Sequence, residues 1–171
     1  RKLDRPLWLG ETPLSGKTVL LHAEQGNGDA IQFARYVPMV EAQGAKVVLG
    51  VSVPLAPLLK SLPGAYTLIS TPDQVPPFNC HAALMSLPLA FDTRLETIPA
   101  EIPYLYADSG RRGAWQARLG PRNRPRIGLA WSGSRGHHSD HHRSMPLRVL
   151  QPLLDLDAEF HSLQRETRAE D

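Results

Sequence analysis

Short apolar runs alternate with segments of helical periodicity through the first part of the chain. The apolar runs cover residues 18–23, 46–51, 67–70 and 78–84, and each has the length of a buried parallel strand. Between the first two runs, apolar positions recur three and four residues apart and predict a helix that begins at Asp29. Pro38 should interrupt this helix, and Gly44 stands where a C-terminal cap belongs. The order strand, glycine turn, helix, strand predicts a βαβ unit with a right-handed crossover.

The same pattern resumes near the end of the chain. Residues 109–119 predict a helix with Ser109 as its N-cap and Trp115 on its buried side. Further on, two apolar strand-like runs flank one more helical segment. We therefore expect an α/β fold, with a Rossmann-like parallel sheet and flanking helices followed by the first βαβ unit of a second Rossmann-like domain. The predicted organisation is a lead-in at 1–17, a first domain at 18–120, a linker at 121–126 and a truncated second domain at 127–171.

Composition and charge exclude several classes of protein. The net charge of +2 is too balanced for a protein dedicated to the phosphate backbone of nucleic acid. No apolar run approaches the roughly 20 residues that a membrane-spanning helix needs, and a single cysteine, Cys80, cannot form an internal disulfide or a cysteine-rich zinc site. We expect no nucleic-acid partner, no membrane span and a cytoplasmic location. Because the sequence starts at Arg1 with no leader pattern, we interpret it as an internal piece of a longer protein.

The strongest local signal is the turn Gly26-Asn27-Gly28-Asp29, between the first strand and the first helix. Its two glycines allow a sharp turn and a close approach to a ligand. The turn also lies at the carboxyl end of a strand, where open α/β sheets bind ligands. It lacks the third glycine of a dinucleotide fingerprint and the lysine of a P-loop. Asp29 is open to two interpretations, as a helix N-cap or as a functional carboxylate.

A second polar loop, residues 132–144, also leaves a strand and precedes a helix. Its hydroxyl groups, which include Ser132 and Ser134, and its two arginines suit an anionic ligand such as a diphosphate. Its four histidines are His137, His138, His141 and His142. Together with Asp140 they allow a zinc interpretation, but adjacent histidines on a glycine-rich loop rarely point at one centre. We expect no metal site here, and a plain solvated loop is the main alternative.

Several segments together resemble one known family. Residues 22–38, HAEQGNGDAIQFARYVP, resemble the opening of the glycosyltransferase domain in bacterial tetratricopeptide-repeat proteins. The segments 6–10, 86–91, 98–105 and 128–133 fit the same family, so the resemblance covers nearly the whole chain. That domain is similar to the family 9 glycosyltransferases, the ADP-heptose:lipopolysaccharide heptosyltransferases.

The resemblance implies an inverting glycosyltransferase of the GT-B type that needs no metal and no cofactor. In this family an N-terminal Rossmann-like domain receives the acceptor, here a sugar or a protein, and a C-terminal one binds the nucleotide-sugar donor. Asp29 stands where the relatives carry the aspartate proposed as the base, and Arg143 where they carry a basic residue that would neutralise the leaving diphosphate. The other implied contacts are Gly26, Asn27, Gly28 and Gln32 with the substrate, and Ser132 and Ser134 with the donor phosphates.

The chain departs from the family's pattern at three positions. Asn27 replaces a usual apolar residue, and Ser134 and His141 replace the commoner asparagine and arginine. Because the second domain stops after one βαβ unit, we expect this fragment to be inactive alone and to form a homodimer through its open edges at residues 126–164. A non-catalytic binding module that kept the fold, or a different nucleotide-binding Rossmann protein, are the alternatives.

Overall fold

The computed structural model describes residues 3–136, 138–169 and 171. The strands are β1 Thr18–His22, β2 Lys46–Gly50, β3 Thr67–Ile69, β4 Cys80–Ala83, β5 Arg126–Leu129 and β6 Glu159–Ser162. The α-helices are α1 Asn27–Phe33, α2 Val37–Ala42, α3 Ala56–Leu59, α4 Leu87–Ala90, α5 Ser109–Leu119, α6 Asp140–Arg143 and α7 Gln151–Leu154. Segments of 3₁₀-helix occupy Ala34–Tyr36, Val53–Leu55, Pro72–Gln74, Leu84–Ser86, Leu95–Thr97 and Leu147–Leu150. Among the described residues, no helix has the length and apolar character to cross a bilayer.

The chain divides into two compact units, Arg1–Arg112 and Gly113–Asp171, and the division falls within α5. In the described part of the first unit, four parallel strands form one sheet in the order β3-β2-β1-β4. Helices α1 and α2 connect β1 to β2, and α3 lies between β2 and β3 in the chain. The predicted fold class is therefore confirmed as an α/β fold with a Rossmann-like parallel sheet and flanking helices.

Successive strands of the chain join the sheet first on one side of β1 and then on the other. Strands β2 and β3 lie on one side of β1, whereas β4 lies on the other side, with Val19 opposite Cys80 and His22 opposite Ala83. Such a reversal opens a crevice at the carboxyl ends of the two strands on either side of it, here β1 and β4, and ligands of open α/β sheets bind there. The turn predicted to bind a ligand follows β1 directly and so lies at this end of the sheet.

The two faces of this sheet are covered to different depths. One face carries the main core, in which Val19, Leu21 and Leu49 are fully buried among the helices. The other face carries a smaller cluster, in which Leu20, Val48 and Ile69 are covered by Leu3, Val75 and Phe78. The second face is thinly covered because a short, proline-rich segment, rather than a long helix, leads from β3 to β4.

The lead-in segment extends the sheet along the outer edge of β4. The backbone N–H of Trp8 donates to the carbonyl of His81 at 2.8 Å, and the N–H of His81 donates to the carbonyl of Pro6 at 3.0 Å. The Trp8 side chain is 1% exposed and meets the ring of Phe91 edge-on, with 5.9 Å between ring centroids. Residues 6–8 thereby satisfy an edge that would otherwise offer unpaired backbone groups.

The helix predicted after β1 is broken into three pieces. It begins at Asn27, two residues before the expected start, and α1 ends at Phe33. A 3₁₀ segment follows before α2 begins at Val37. Pro38 has no N–H to donate to the carbonyl of Ala34, so the backbone changes helix type just before the proline.

Helix α5 differs from its prediction in two ways. Its N-cap is Asp108 rather than Ser109, because Oδ1 of Asp108 accepts the N–H of Arg111 at 2.8 Å. Trp115, predicted to be buried, is 55% exposed, and the Arg118 guanidinium lies 5.0 Å from its ring centroid. The sequence could not distinguish Asp108 from Ser109 as the N-cap, because aspartate and serine favour this position about equally.

The second unit contains the βαβ unit that the sequence predicts. Strands β5 and β6 are parallel neighbours, with Ile127 opposite Phe160. In the described part of this unit, the large side chain of Trp131 is buried, at 6% exposure, whereas Val149 and Leu163 are well exposed. No observation tests the homodimer expected through residues 126–164, which stays a prediction.

Candidate functional site

The turn after β1 is organised by a hydrogen bond between its two ends. Gly26 is the N-cap of α1, and its backbone N–H donates to Oδ2 of Asp29 at 3.0 Å. Asp29 is therefore the third residue of the helix and closes a capping-box contact, rather than being the N-cap itself. The side chain is half-buried, and among the described residues this contact engages Oδ2 alone. Oδ1 is left for a ligand.

The two glycines of the turn are not required by backbone conformation. Gly26 has an extended backbone with φ −66° and ψ 166°, which any residue can adopt, and Gly28 lies in the first turn of α1. The prediction that they permit a sharp turn is therefore wrong. Gly28 has room around it, since a Cβ placed there would meet nothing within 4 Å, whereas a Cβ on Gly26 would lie 3.3 Å from Oδ2 of Asp29. Gly28 directly precedes Asp29 in the chain.

Asn27 joins this turn to the loop after the neighbouring strand. The hydroxyl of Ser52, two residues beyond β2, donates to Oδ1 of Asn27 at 2.9 Å. Gln32 is exposed on α1, three residues after Asp29 and on the same side of the helix. The structure thus brings together Gly26, Asn27, Gly28 and Asp29, and it places Gln32 one helical turn further along. Ser52 was missed, although a serine directly after a buried strand is a readable signal.

A histidine pair lies across the neighbouring strands β1 and β4. Nε2 of His22, at the end of β1, is 3.3 Å from Nδ1 of His81 in β4. Burial lowers the pKa of His22, the nearby His81 lowers it further, and the charge of Glu24 acts in the opposite direction. His22 is therefore neutral at pH 7. The pairing was missed because a sequence does not give the register between strands separated by 59 positions.

The loop predicted to hold donor phosphates is anchored by Gln164. Its Oε1 accepts the N–H groups of Trp131 and Ser132 at 3.1 and 3.2 Å, and its Nε2 donates to the carbonyl of Ser132 at 2.8 Å. The Ser132 hydroxyl is buried and has no hydrogen-bond partner in the described structure. Ser134 is exposed, and its hydroxyl accepts the N–H of Gly136 at 3.4 Å. Of the two predicted serines, Ser134 is the one whose side chain meets solvent.

Asp140 of the same loop is held by an arginine far along the chain. Nη2 of Arg168 lies 2.7 Å from Oδ2 of Asp140, and the Ser144 hydroxyl donates to Oδ1 at 2.5 Å. The Ser144 hydrogen bond, and then Arg168, lower the pKa of Asp140 against the opposing effect of burial. The N–H of Gly133 donates to the Ser144 hydroxyl at 2.9 Å, so the network ties both ends of the loop together.

These contacts bear on the zinc interpretation of the loop. The carboxylate of Asp140 is already engaged by Arg168 and Ser144. Within residues 3–136, 138–169 and 171, no three histidine, cysteine or carboxylate side chains are grouped to hold a metal ion. His137, one of the histidines considered as a ligand, lies outside the described residues.

Arg143 lies over the backbone of the same loop. A Cβ on Gly133 would come within 3.3 Å of Nε of Arg143 and 3.5 Å of Oδ1 of Asp140. The structure thus gathers Gly133, Arg143 and Ser144 at one place, with the exposed Ser134 next along the chain. A phosphate bound there would meet the guanidinium of Arg143, which is a favourable charge-assisted contact, whereas the N–H of Gly133 is already bonded to Ser144.

Comparison with known proteins finds one distant relative. The chain is similar to Protein FlbA of Caulobacter vibrioides, with 28% identity over an alignment of 168 positions that covers 86% of this chain and 28% of FlbA. The chain therefore spans less than a third of the length of that relative. No family model matches the chain, and no solved structure matches it.

Proposed function

We propose that this chain is part of an inverting, metal-independent glycosyltransferase that moves a sugar from a nucleotide-sugar donor to an acceptor hydroxyl. The single observation that carries the proposal is the position of Asp29. Its half-buried carboxylate lies at the carboxyl end of the sheet, beside the reversal of strand order, with one oxygen engaged and open space at the neighbouring Gly28. A base that deprotonates a bound hydroxyl needs this combination of position and access.

In the proposed reaction Asp29 takes the proton of the acceptor hydroxyl as that oxygen attacks the anomeric carbon. The bond between the anomeric carbon and the diphosphate breaks on the opposite face, and the diphosphate leaves with the bonding electrons. The N–H of Gly26 holds Oδ2 and so fixes the direction of the carboxylate.

The other candidate residues are assigned to the acceptor or to the donor by where a ligand could reach them. Gly26, Asn27 and Gly28 directly precede Asp29 in the turn and would contact the acceptor, with Gln32 reaching it from the next helical turn. In the second unit, Arg143 and Ser134 would bind the donor diphosphate, and Arg143 would neutralise the charge of the leaving group. The buried Ser132 would take part through its backbone rather than its hydroxyl.

One contact favours a second candidate, a non-catalytic binding module with the same fold. The Gly26–Asp29 hydrogen bond is what a purely structural capping residue makes. In such a module the turn would bind a sugar or nucleotide without transfer. The two candidates differ in turnover, not in binding.

The test is an assay of the full-length protein with a panel of nucleotide sugars and candidate acceptors. Acceptor-dependent release of a nucleoside diphosphate, with the sugar recovered on the acceptor, supports the transferase. Binding of nucleotide sugars without release of diphosphate supports the binding module. If neither a nucleotide sugar nor any of the candidate acceptors binds, both candidates are wrong.

A further inference from the structure

A pocket of about 950 Å³ opens over the thinly covered second face of the first unit's sheet. Asp29 does not line it, although Ser52, whose hydroxyl is bonded to Asn27 of the turn, does. Its apolar surface includes Leu20 and Ile69 of the sheet and the ring of Phe78. Its polar surface includes His22, Ser52 and Ser70, which stand at or just beyond the carboxyl ends of β1, β2 and β3. One side of the pocket is thus apolar and one edge carries hydrogen-bonding groups.

The charges of the pocket cancel. Asp4 and Arg5 both line it and are consecutive in the chain, so an anionic ligand attracted by Arg5 would also meet the carboxylate of Asp4. His22 adds no charge at neutral pH because its pKa is lowered. The lining therefore favours a ligand with no net charge, and a purely apolar ligand would cover the hydroxyl of Ser70 and the second ring nitrogen of His22 without bonding to them.

A sugar ring has the matching chemistry. It carries hydroxyl groups around its edge and an apolar C–H face that packs on aromatic rings. We infer that this pocket binds a neutral saccharide ring, with the C–H face against Phe78 and the hydroxyls bonded to His22, Ser52 and Ser70. The contact with His81 uses Nε2 of His22 and leaves Nδ1 for the ligand. This site goes beyond the proposed transfer reaction and does not depend on it.

Ser70 gives the sharpest variant. The Ser52 hydroxyl is already bonded to Asn27, so changing it would disturb the turn as well. Ser70 contributes its backbone N–H to the side chain of Gln74, and that contact survives replacement of the side chain. Ser70→Ala therefore removes one hydroxyl from the pocket and leaves the local fold intact. The matched control is Ser109→Ala, which removes an exposed hydroxyl that does not line the pocket.

The experiment is a titration of the 171-residue chain followed by backbone amide NMR. The neutral probes are methyl glycosides of glucose, galactose, mannose and N-acetylglucosamine, and the anionic probes are glucose 6-phosphate and glucuronic acid. We expect at least one neutral probe to shift the amides of residues 50–52 and 69–71 saturably at millimolar concentration. Ser70→Ala should weaken this binding by about 2- to 10-fold, the effect of one hydrogen bond, and Ser109→Ala should leave it unchanged.

Three results would overturn the inference. The first is that no neutral glycoside shifts the pocket amides, and the second is that only the anionic probes do so. The third is equal binding by the Ser70→Ala variant. This test and the transfer assay can fail independently. Binding of a neutral sugar in this pocket supports the inference even if the full-length protein transfers no sugar.

Discussion

Nε2 of His22 lies 3.3 Å from Nδ1 of His81, across the two strands between which the strand order of the sheet reverses. A hydrogen bond between these two nitrogens requires that one of them carries no proton. Two fully protonated rings would both be donors and would repel each other. The pair is also partly removed from water, which disfavours the charged form of His22. The first unit therefore contains a group whose protonation opposes folding.

We predict that the first unit loses stability as the pH falls below about 6.5, the usual pKa of histidine. Because folding lowers the pKa of His22, the unfolded chain binds more protons than the folded chain between the folded pKa and 6.5. The free energy of unfolding is therefore highest above this window and falls through it as the pH drops. Urea unfolding at about pH 7.5 and about pH 5 measures the effect. The fall should be smaller in His22→Gln, and an equal fall in both proteins would contradict the assignment.

The fold was predictable where the sequence signal is local. The runs that became β1 and β2 are short, apolar and separated by a helical pattern, so type and order followed from periodicity alone. The buried side of α5 was not predictable in this way. Trp115 is the largest apolar residue of that helix, yet it is exposed and packs with Arg118 on the same helix. Periodicity tells which residues share a face, not whether another element covers that face.

The residues of the candidate sites were likewise predictable only where they lie close together in the sequence. The turn from Gly26 to Asp29 was found because all its residues are adjacent in sequence. The anchors of the second loop, Gln164 and Arg168, were missed because they act on residues 32 and 28 positions earlier. Such contacts depend on how β6 returns beside β5, and no local pattern encodes that return.

Arg168 is predicted to hold the second loop in shape. Arg168→Gln should free the side chains of Asp140 and Ser144 and so weaken the bond from the Gly133 N–H to Ser144. Faster hydrogen exchange at the Gly133 amide is the expected readout. Arg165→Gln, which changes a nearby exposed arginine, is the control and should leave that amide unaffected.

The same pair can be tested for direct coupling. Asp140→Asn and Arg168→Gln should each destabilise the loop, and the double variant should lose less than the sum of the two effects. Because the pKa of Asp140 is lowered in the folded chain, its contribution is complete above the usual aspartate pKa and is lost as the pH falls through the lowered value. Additive effects would show that Arg168 does not act through Asp140.

Gly28 is predicted to serve a ligand rather than the fold. Gly28→Ala places a methyl group in open space on α1 and should raise the free energy of unfolding by up to about 1 kcal/mol, because alanine favours helix more than glycine does. The same methyl group should reduce turnover of the full-length protein by crowding the acceptor beside Asp29. Unfolding curves and turnover measured together check the prediction. Greater stability with unchanged turnover would remove Gly28 from the site.

The last prediction concerns Asp29 in the full-length protein. Asp29→Asn keeps a side-chain oxygen for the N–H of Gly26, so its stability should stay close to that of the unchanged protein. It loses the carboxylate, however, so transfer should fall by about 10²- to 10⁴-fold, the usual contribution of a positioned general base. Donor binding should persist, because the proposed donor contacts lie in the second unit. Asp29→Ala should lose transfer equally and also about 1 kcal/mol of stability, since the capping acceptor is gone.

Glu24 provides the matched control for this experiment, because it is the other carboxylate beside the same turn and it is exposed. Glu24→Gln should keep both stability and transfer. Nucleoside diphosphate release and thermal unfolding, measured on all three variants, separate the possible roles. If Asp29→Asn transfers sugar at the unchanged rate while Asp29→Ala is merely less stable, Asp29 is a capping residue. If Glu24→Gln instead abolishes transfer, the base is Glu24, and the carboxylate held by Gly26 only shapes the turn that presents it.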